Sequence, residues 1–116
     1  KIKENIEFAI LTNEITKAWT GLTTKQYKNL KGLKKESLRD NMTNLELVLH
    51  MLAETATTEI SQKREPQNFE ENKTVAREGG TVAGNARKEI ESKTGKRAVS
   101  KYNFKTAKNK QLPKDL

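Results

Sequence analysis

A helix-start signal followed by four turns of regularly spaced apolar residues is the feature that most restricts the fold of this chain. Thr43 and Glu46 have the spacing of a capping box, in which each side chain bonds the backbone N–H of the other residue. The apolar residues that follow are Leu45, Val48, Leu49, Leu52, Ala56 and Ile60. Their intervals of three and four place them on one face of an α-helix. Pro66 limits this helix, because the residue before a proline is disfavoured in helical conformation. The pattern therefore predicts a helix from Asn44 to Lys63.

A second helical pattern runs from Phe69 to Lys93 and contains the pair Gly79-Gly80. Each interior glycine costs about 1 kcal/mol relative to alanine in an isolated helix, so another contact should offset that cost. Either the helix breaks at the pair, or it continues and its small residues let another helix approach closely. We favour a continuous helix, because the apolar spacing keeps its phase across the glycines. The predicted helix-packing face consists of Ala76, Gly80, Ala83 and Gly84.

The first part of the chain predicts one more long helix and one short helix. Lys1 to Trp19 has helical spacing, and Thr20-Gly21 should end it. Its broad apolar face, which we expect to be buried, consists of Ile2, Ile6, Phe8, Ile10, Leu11, Ile15, Ala18 and Trp19. Thr23 and Gln26 form a second capping-box pattern, so a short helix should begin there and end near Gly32.

These patterns predict an all-α fold. The two long helices should pack antiparallel, with the N-terminal helix covering their seam and short helices in the connections. Residues 1–95 would form the helical domain. Residues 96–116 are expected to be a basic, irregular and partly disordered tail, with Val99, Tyr102 and Phe104 as its only anchors.

Positive charge is concentrated in two blocks of this chain, whose net charge is +8. Residues 25–39 contain six basic side chains and one acidic side chain, and residues 93–116 contain eight basic side chains against Asp115. A localised basic block is typical of polyanion-binding proteins, because neutralised phosphates release counterions. A solvated surface with a basic tail is the alternative explanation.

The first basic block is the candidate binding site. Its cations recur at steps of three and four, which would place them on one side of a continuous helix, although Gly32 argues against a single rigid stripe. Aromatic residues are only 5% of the chain, so contact with duplex phosphates fits better than stacking on bases. An acidic protein partner could meet the same side chains. The candidate contact residues are Lys28, Lys31, Lys34, Lys35 and Arg39, in a row that begins at Lys25.

The sequence offers no convincing catalytic or metal-binding constellation. His50 is the only histidine, and Glu54 follows it by one helical turn. A metal site of this kind needs three or four ligands, and the chain has no cysteine, so we expect a surface pair. The segment from Gly79 to Gly84 lacks the lysine of a phosphate-binding loop. We therefore expect a protein that is not an enzyme and uses neither a cofactor nor a metal.

No apolar run approaches the roughly 18 residues needed to cross a bilayer, and charges interrupt the region where a signal peptide would be apolar. We therefore expect a soluble, cytoplasmic protein without membrane contact. Because the chain starts with Lys1 inside a helical pattern, we expect it to be a portion of a longer polypeptide. Apolar and charged residues each make up 33% of the chain, so its core is thin and a partner helix or a homodimer would suit it.

Four blocks of sequence carry a resemblance to a known family. Residues 31–49 read K-G-L-K-K-E-S-L-R-D-N-M-T-N-L-E-L-V-L. Later blocks read A-E-T-A-T-T-E (53–59), N-F-E-E-N-K (68–73) and G-N-A-R-K-E-I-E (84–91). With these blocks in this order, the chain resembles the carboxy-terminal region of the DNA-damage-inducible protein D family over most of residues 9–95.

The resemblance implies a bacterial or prophage protein of the SOS response to DNA damage. In that family and in related phage antirepressors, such a region follows a Bro-type domain associated with DNA binding. The implied function is a non-enzymatic regulatory domain that contacts DNA, or a DNA-bound recombination or repressor protein. The alternative is a protein interaction or oligomerisation module whose charges only keep it soluble.

Overall fold

The computed structural model describes residues 2–104, with side chains from Glu4 onward, and within this range the predicted all-α fold is confirmed. The elements are α1 (Ile2–Thr20), α2 (Thr24–Leu30), a 3-10 turn (Arg39–Asn41), α3 (Asn44–Arg64) and α4 (Phe69–Thr94). The long helices α3 and α4 pack against each other along their length, and α1 packs mainly on α4. No described helix has the length and apolar character required to span a bilayer.

Both predicted capping boxes form and fix where α2 and α3 begin. The Thr43 side chain accepts a hydrogen bond from the Glu46 N–H at 3.1 Å, and Glu46 Oε1 accepts one from the Thr43 N–H at 2.8 Å. Thr23 and Gln26 make the same reciprocal pair at the start of α2. Each box satisfies backbone donors that a helix end otherwise leaves without partners.

Helix α4 is continuous through Gly79-Gly80, as predicted. The small residues lie where other helices come closest. A Cβ atom on Gly80 would lie 2.7 Å from the Ile15 carbonyl oxygen, and one on Gly84 would lie 2.7 Å from the Ala18 carbonyl oxygen. On the other side of α4, a Cβ atom on Gly79 would lie 2.6 Å from Thr57 Cα. Close approach to α1 and α3 therefore offsets the low helix propensity of these glycines.

The core lies where α1, α2, α3 and α4 meet. Trp19 is fully buried, and its ring meets that of Tyr27 edge-on, with 6.0 Å between ring centroids. Buried or nearly buried side chains around this aromatic pair include Met42, Leu49, Ala53, Ala83 and Ala98. Small residues on α3 and α4 thus enclose one large aromatic pair.

Two predicted apolar faces differ from the structure. On α1, Ile6, Phe8 and Ile10 are exposed. Phe8 lies on the side of α2, which spans about 10 Å and covers only part of the roughly 28 Å long α1. On α3, Val48 and Leu52 are exposed, whereas Glu46 and Ala53 are buried. The buried face of α3 is rotated toward Glu46 because that carboxylate finds hydrogen-bond donors in the core.

The chain after α4 follows an irregular path against the helices. Ala98 is buried, Val99 and Tyr102 are half-buried, and Phe104 is half-exposed. The segment 98–104 therefore belongs to the packed unit, although the predicted domain ended at residue 95. The remaining predicted tail, residues 105–116, lies outside the described residues.

Candidate functional site

The predicted contact residues fall into two groups, because the backbone does not stay helical through the basic block. Helix α2 ends at Leu30, and Gly32 adopts a left-handed conformation with φ of 72° that turns the chain. After this turn Lys34 and Lys35 are exposed in the loop, and Lys28 is half-buried on α2. Arg39 is exposed in the 3-10 turn.

The prediction that Lys31 lies on the binding surface is wrong, because Lys31 is a core residue. It is 1% exposed, and its ammonium contacts Glu46 Oε1 at 2.7 Å and the Tyr102 carbonyl oxygen at 2.7 Å. Lys31 follows the last residue of α2 and precedes the turn at Gly32, which directs its side chain into the interior. A buried, paired ammonium is not available to a partner.

Arg39 already has a partner within the domain. Its guanidinium lies 3.3 Å from the Glu54 carboxylate, and both side chains are about half exposed. His50 lies 3.3 Å from the other oxygen of the same carboxylate, so the predicted pair forms. It is not the surface pair that was expected, because the His50 side chain is only 12% exposed. Binding an external anion through Arg39 would compete with this contact, so Arg39 contributes less than the loop lysines.

An open groove lies between the first half of α1 and the α2 region. Its volume is about 730 Å³. Phe8, Ala9 and Leu33 provide an apolar floor, and Lys25, Lys28 and Lys34 provide the cations. The other lining residues are the neutral polar side chains Thr12, Asn13, Thr24 and Asn29. Two of the five predicted contact residues, Lys28 and Lys34, thus line one cavity together with Lys25.

The position of α2 against α1 is fixed by a specific hydrogen bond. The Thr24 N–H donates to Asn13 Oδ1 at 2.8 Å, which ties the first turn of α2 to the middle of α1. On the far side of α2, buried Tyr27 anchors the helix to the core. The groove walls are therefore held by the fold before any ligand binds.

The groove has an unbalanced positive charge. Within residues 4–104, Lys25, Lys28, Lys34 and Lys35 take no part in the ion pairs that connect other charged side chains. The nearest acidic residue in the loop is Glu36, which accepts a hydrogen bond from the Lys34 main-chain N–H at 2.8 Å. An anion could therefore approach these lysines without breaking an existing ion pair.

A buried polar network lies beneath α2. Glu46 accepts hydrogen bonds from the Tyr27 hydroxyl at 2.5 Å, the Lys31 ammonium at 2.7 Å and the Ser100 N–H at 3.0 Å. Burial lowers the pKa of the Lys31 ammonium, and the hydrogen bond and charge of Glu46 oppose that shift. Burial, followed by the charge of Glu46, raises the pKa of Tyr27 far above its usual range. Tyr27, Lys31 and Glu46 are all buried, so this network holds the described helices together.

The His50 pair has no third ligand. Burial lowers the pKa of His50, the charge of Glu54 opposes this shift, and the charge of Arg39 reinforces it. The imidazole packs at a tilt against Trp19, with 6.3 Å between ring centroids. Among the described side chains, no group of three or more histidine, cysteine or acidic residues is arranged to hold a metal ion.

The apolar lining of the groove was not predicted. Phe8 was expected on a buried face, and Leu33 was not expected to be part of a site. The length difference between α1, with 19 residues, and α2, with 7, is the signal that could have revealed it. A short helix cannot cover a long one, so part of the apolar face had to remain open.

No family model, curated protein or solved structure matches this chain. Functional proposals therefore depend on the residues of the groove and on the sequence resemblance.

Proposed function

We propose that this domain is a non-enzymatic regulatory module that contacts DNA, or a protein bound to DNA, through the basic surface of α2 and the following loop. One observation carries the proposal. Lys25, Lys28 and Lys34 line one groove, and Lys35 is exposed next to Lys34 in the chain. None of the four joins the ion pairs seen among the described residues.

Exposed lysines of this kind bind phosphate at little internal cost. Three exposed arginines of the domain are already paired, since Arg39 meets Glu54, Arg64 meets Glu78 and Arg77 meets Glu14. The groove lysines have only water and counterions to release, and that release supplies most of the affinity of sequence-independent DNA binding. The net charge of +8 acts in the same direction by attracting polyanions over distance.

The sequence resemblance to the DNA-damage-inducible protein D family supports the same function. It suggests a role in the bacterial or prophage response to DNA damage, performed in the cytoplasm by binding rather than by catalysis. The basic block of residues 31–39 is also the strongest part of that resemblance.

The test is a salt series of duplex DNA binding with two variants of equal charge. Lys28→Glu, Lys34→Glu and Lys35→Glu are combined in one chain. A control chain combines Lys63→Glu, Lys88→Glu and Lys96→Glu. These three lysines are exposed away from the groove, and none of them joins an ion pair among the described residues. We expect the first variant to lose most binding at ~50 mM salt. The slope of its log binding constant against log salt concentration should correspond to up to about three fewer phosphate contacts.

Equal losses in both variants would show that only net charge matters and would contradict a site on α2. Undetectable binding of the unmodified protein at ~50 mM salt would contradict direct DNA contact.

A protein interaction module is the second candidate, and the floor of the groove favours it. Phe8 is 73% exposed in a concave surface. Phosphate contact makes no use of such a side chain, whereas an apolar residue from a protein would cover it.

A further inference from the structure

The groove between α1 and α2 combines an apolar surface with a basic surface. Its floor is apolar, and its rim carries Lys25, Lys28 and Lys34. The chemistry of both surfaces restricts what the groove can bind.

The floor calls for an apolar group. Phe8 has the largest exposed fraction of any large apolar side chain in the described structure, and Ala9 and the 4% exposed Leu33 complete the apolar lining of the groove. Scattered exposed apolar residues are common on protein surfaces. A concave site lined by several of them is the usual seat of an anchoring side chain.

The rim calls for negative charge. Three lysines and no acidic side chain line the groove, and the remaining polar lining is uncharged. An occupant with carboxylates would be attracted to this rim and oriented by it, and a basic occupant would be repelled. Residues 105–116 contain four lysines and one aspartate, so their net charge has the same sign as that of the rim.

Nucleic acid satisfies only part of this surface. Duplex phosphates would meet the lysines but leave the exposed Phe8 ring without a contact. A single strand could stack one base on Phe8, yet surfaces that bind single strands present several rings in succession. Among the described residues that line the groove, Phe8 is the only aromatic one.

We propose that the groove binds an acidic segment of a protein partner, which places an apolar anchor residue over Phe8 while flanking carboxylates meet Lys25, Lys28 and Lys34. This inference rests on the part of the proposed function that assigns partner contact to the basic surface. It narrows the partner to a protein.

The experiment measures binding of two fluorescent synthetic peptides to the full chain by anisotropy. One peptide carries leucine anchors among glutamates, and the other carries glutamine in place of each leucine at the same net charge. We expect the leucine peptide to bind more tightly. Phe8→Ala should weaken the leucine peptide about tenfold and leave the glutamine peptide unchanged.

Ile6→Ala is the matched control. Ile6 is a 54% exposed apolar residue on the same helix and does not line the groove. This variant should bind both peptides as the unmodified protein does. Circular dichroism should be the same for both variants, because neither side chain belongs to the core.

Three results would overturn the inference. Equal binding of the two peptides with no effect of Phe8→Ala would show that no apolar anchor binds over Phe8. If duplex DNA still bound in a lysine-dependent way, the proposed function would remain supported. Tighter binding of a single-stranded oligonucleotide, lost in Phe8→Ala, would assign the groove to nucleic acid. Failure of every anionic probe to bind at ~50 mM salt would contradict both the inference and the proposed function.

Discussion

At the scale of single residues, the Lys31–Glu46 pair determines which part of the basic block can act as a surface. Both side chains are fully buried, and the carboxylate is surrounded by donors from Tyr27, Thr43 and Ser100. Removing one partner of a buried ion pair leaves an uncompensated charge in the core. Lys31 therefore stabilises the fold, while Lys34, three residues later, is exposed and can meet a partner.

Lys31→Met should lower the free energy of unfolding by about 3–5 kcal/mol, because the buried Glu46 carboxylate would lose the ammonium that pairs with it. Urea unfolding followed by circular dichroism measures the change. Adding Glu46→Gln should recover part of the loss, because the amide is neutral and still supports the capping box at Thr43.

Lys34→Met is the control for that change. As an exposed substitution it should alter the free energy of unfolding by no more than about 0.5 kcal/mol. Similar stabilities of the Lys31 and Lys34 variants would show that the buried pair is not formed in solution.

At the scale of the elements, α4 is shaped by its contacts rather than by its own helix propensity. Gly79 faces α3, and Gly80 and Gly84 face α1. In an isolated helix, each would be a weak point. In the folded chain they allow α1 and α3 to lie close enough to enclose Trp19 with small side chains around it.

Gly80→Ala should destabilise the domain by about 1–3 kcal/mol, although the same change would stabilise an exposed helix. The new methyl group would meet the Ile15 carbonyl oxygen at 2.7 Å, so α1 would have to move. The shift of the urea midpoint at constant slope measures the effect.

Asn85→Ala, at an exposed position of the same helix, should be neutral or slightly stabilising. A gain in stability for Gly80→Ala as well would mean that α1 does not pack on α4 this closely.

At the scale of the whole molecule, the segment after α4 completes the fold. The Ser100 N–H donates to Glu46 Oε2, and the Lys31 ammonium donates to the Tyr102 carbonyl oxygen. Asn103 donates to the Lys31 carbonyl oxygen at 2.7 Å. Residues far apart in the chain thus complete the polar network beneath α2. Helix α2 itself forms one wall of the groove.

Ser100→Pro should lower the free energy of unfolding by about 1–3 kcal/mol, because proline cannot donate the N–H that Glu46 accepts. Ser100→Ala keeps this N–H and loses only the hydroxyl contact at 3.3 Å, so its effect should be smaller. Thermal unfolding of both variants measures the difference.

Lys101→Ala is the exposed control in the same segment and should have little effect. If all three variants were as stable as the unmodified protein, the folded unit would end near Gly95, as the sequence analysis predicted.

The sequence by itself determined the helices and their ends. Capping boxes at Thr23 and Thr43, and the spacing of apolar residues in α3 and α4, act within a few residues of each other, so they can be recognised in a linear chain. The candidate lysines of the groove could also be predicted, because charged residues are evident in the sequence.

Only the tertiary structure decided which side chains are buried. Lys31 and Lys34 look alike in the sequence, but a turn at Gly32 and a carboxylate 15 positions later place one in the core. Phe8 looked like a core residue, and the short length of α2 left it open in a groove. Burial depends on which distant elements meet, and that information lies in the packing of the helices rather than in any one of them.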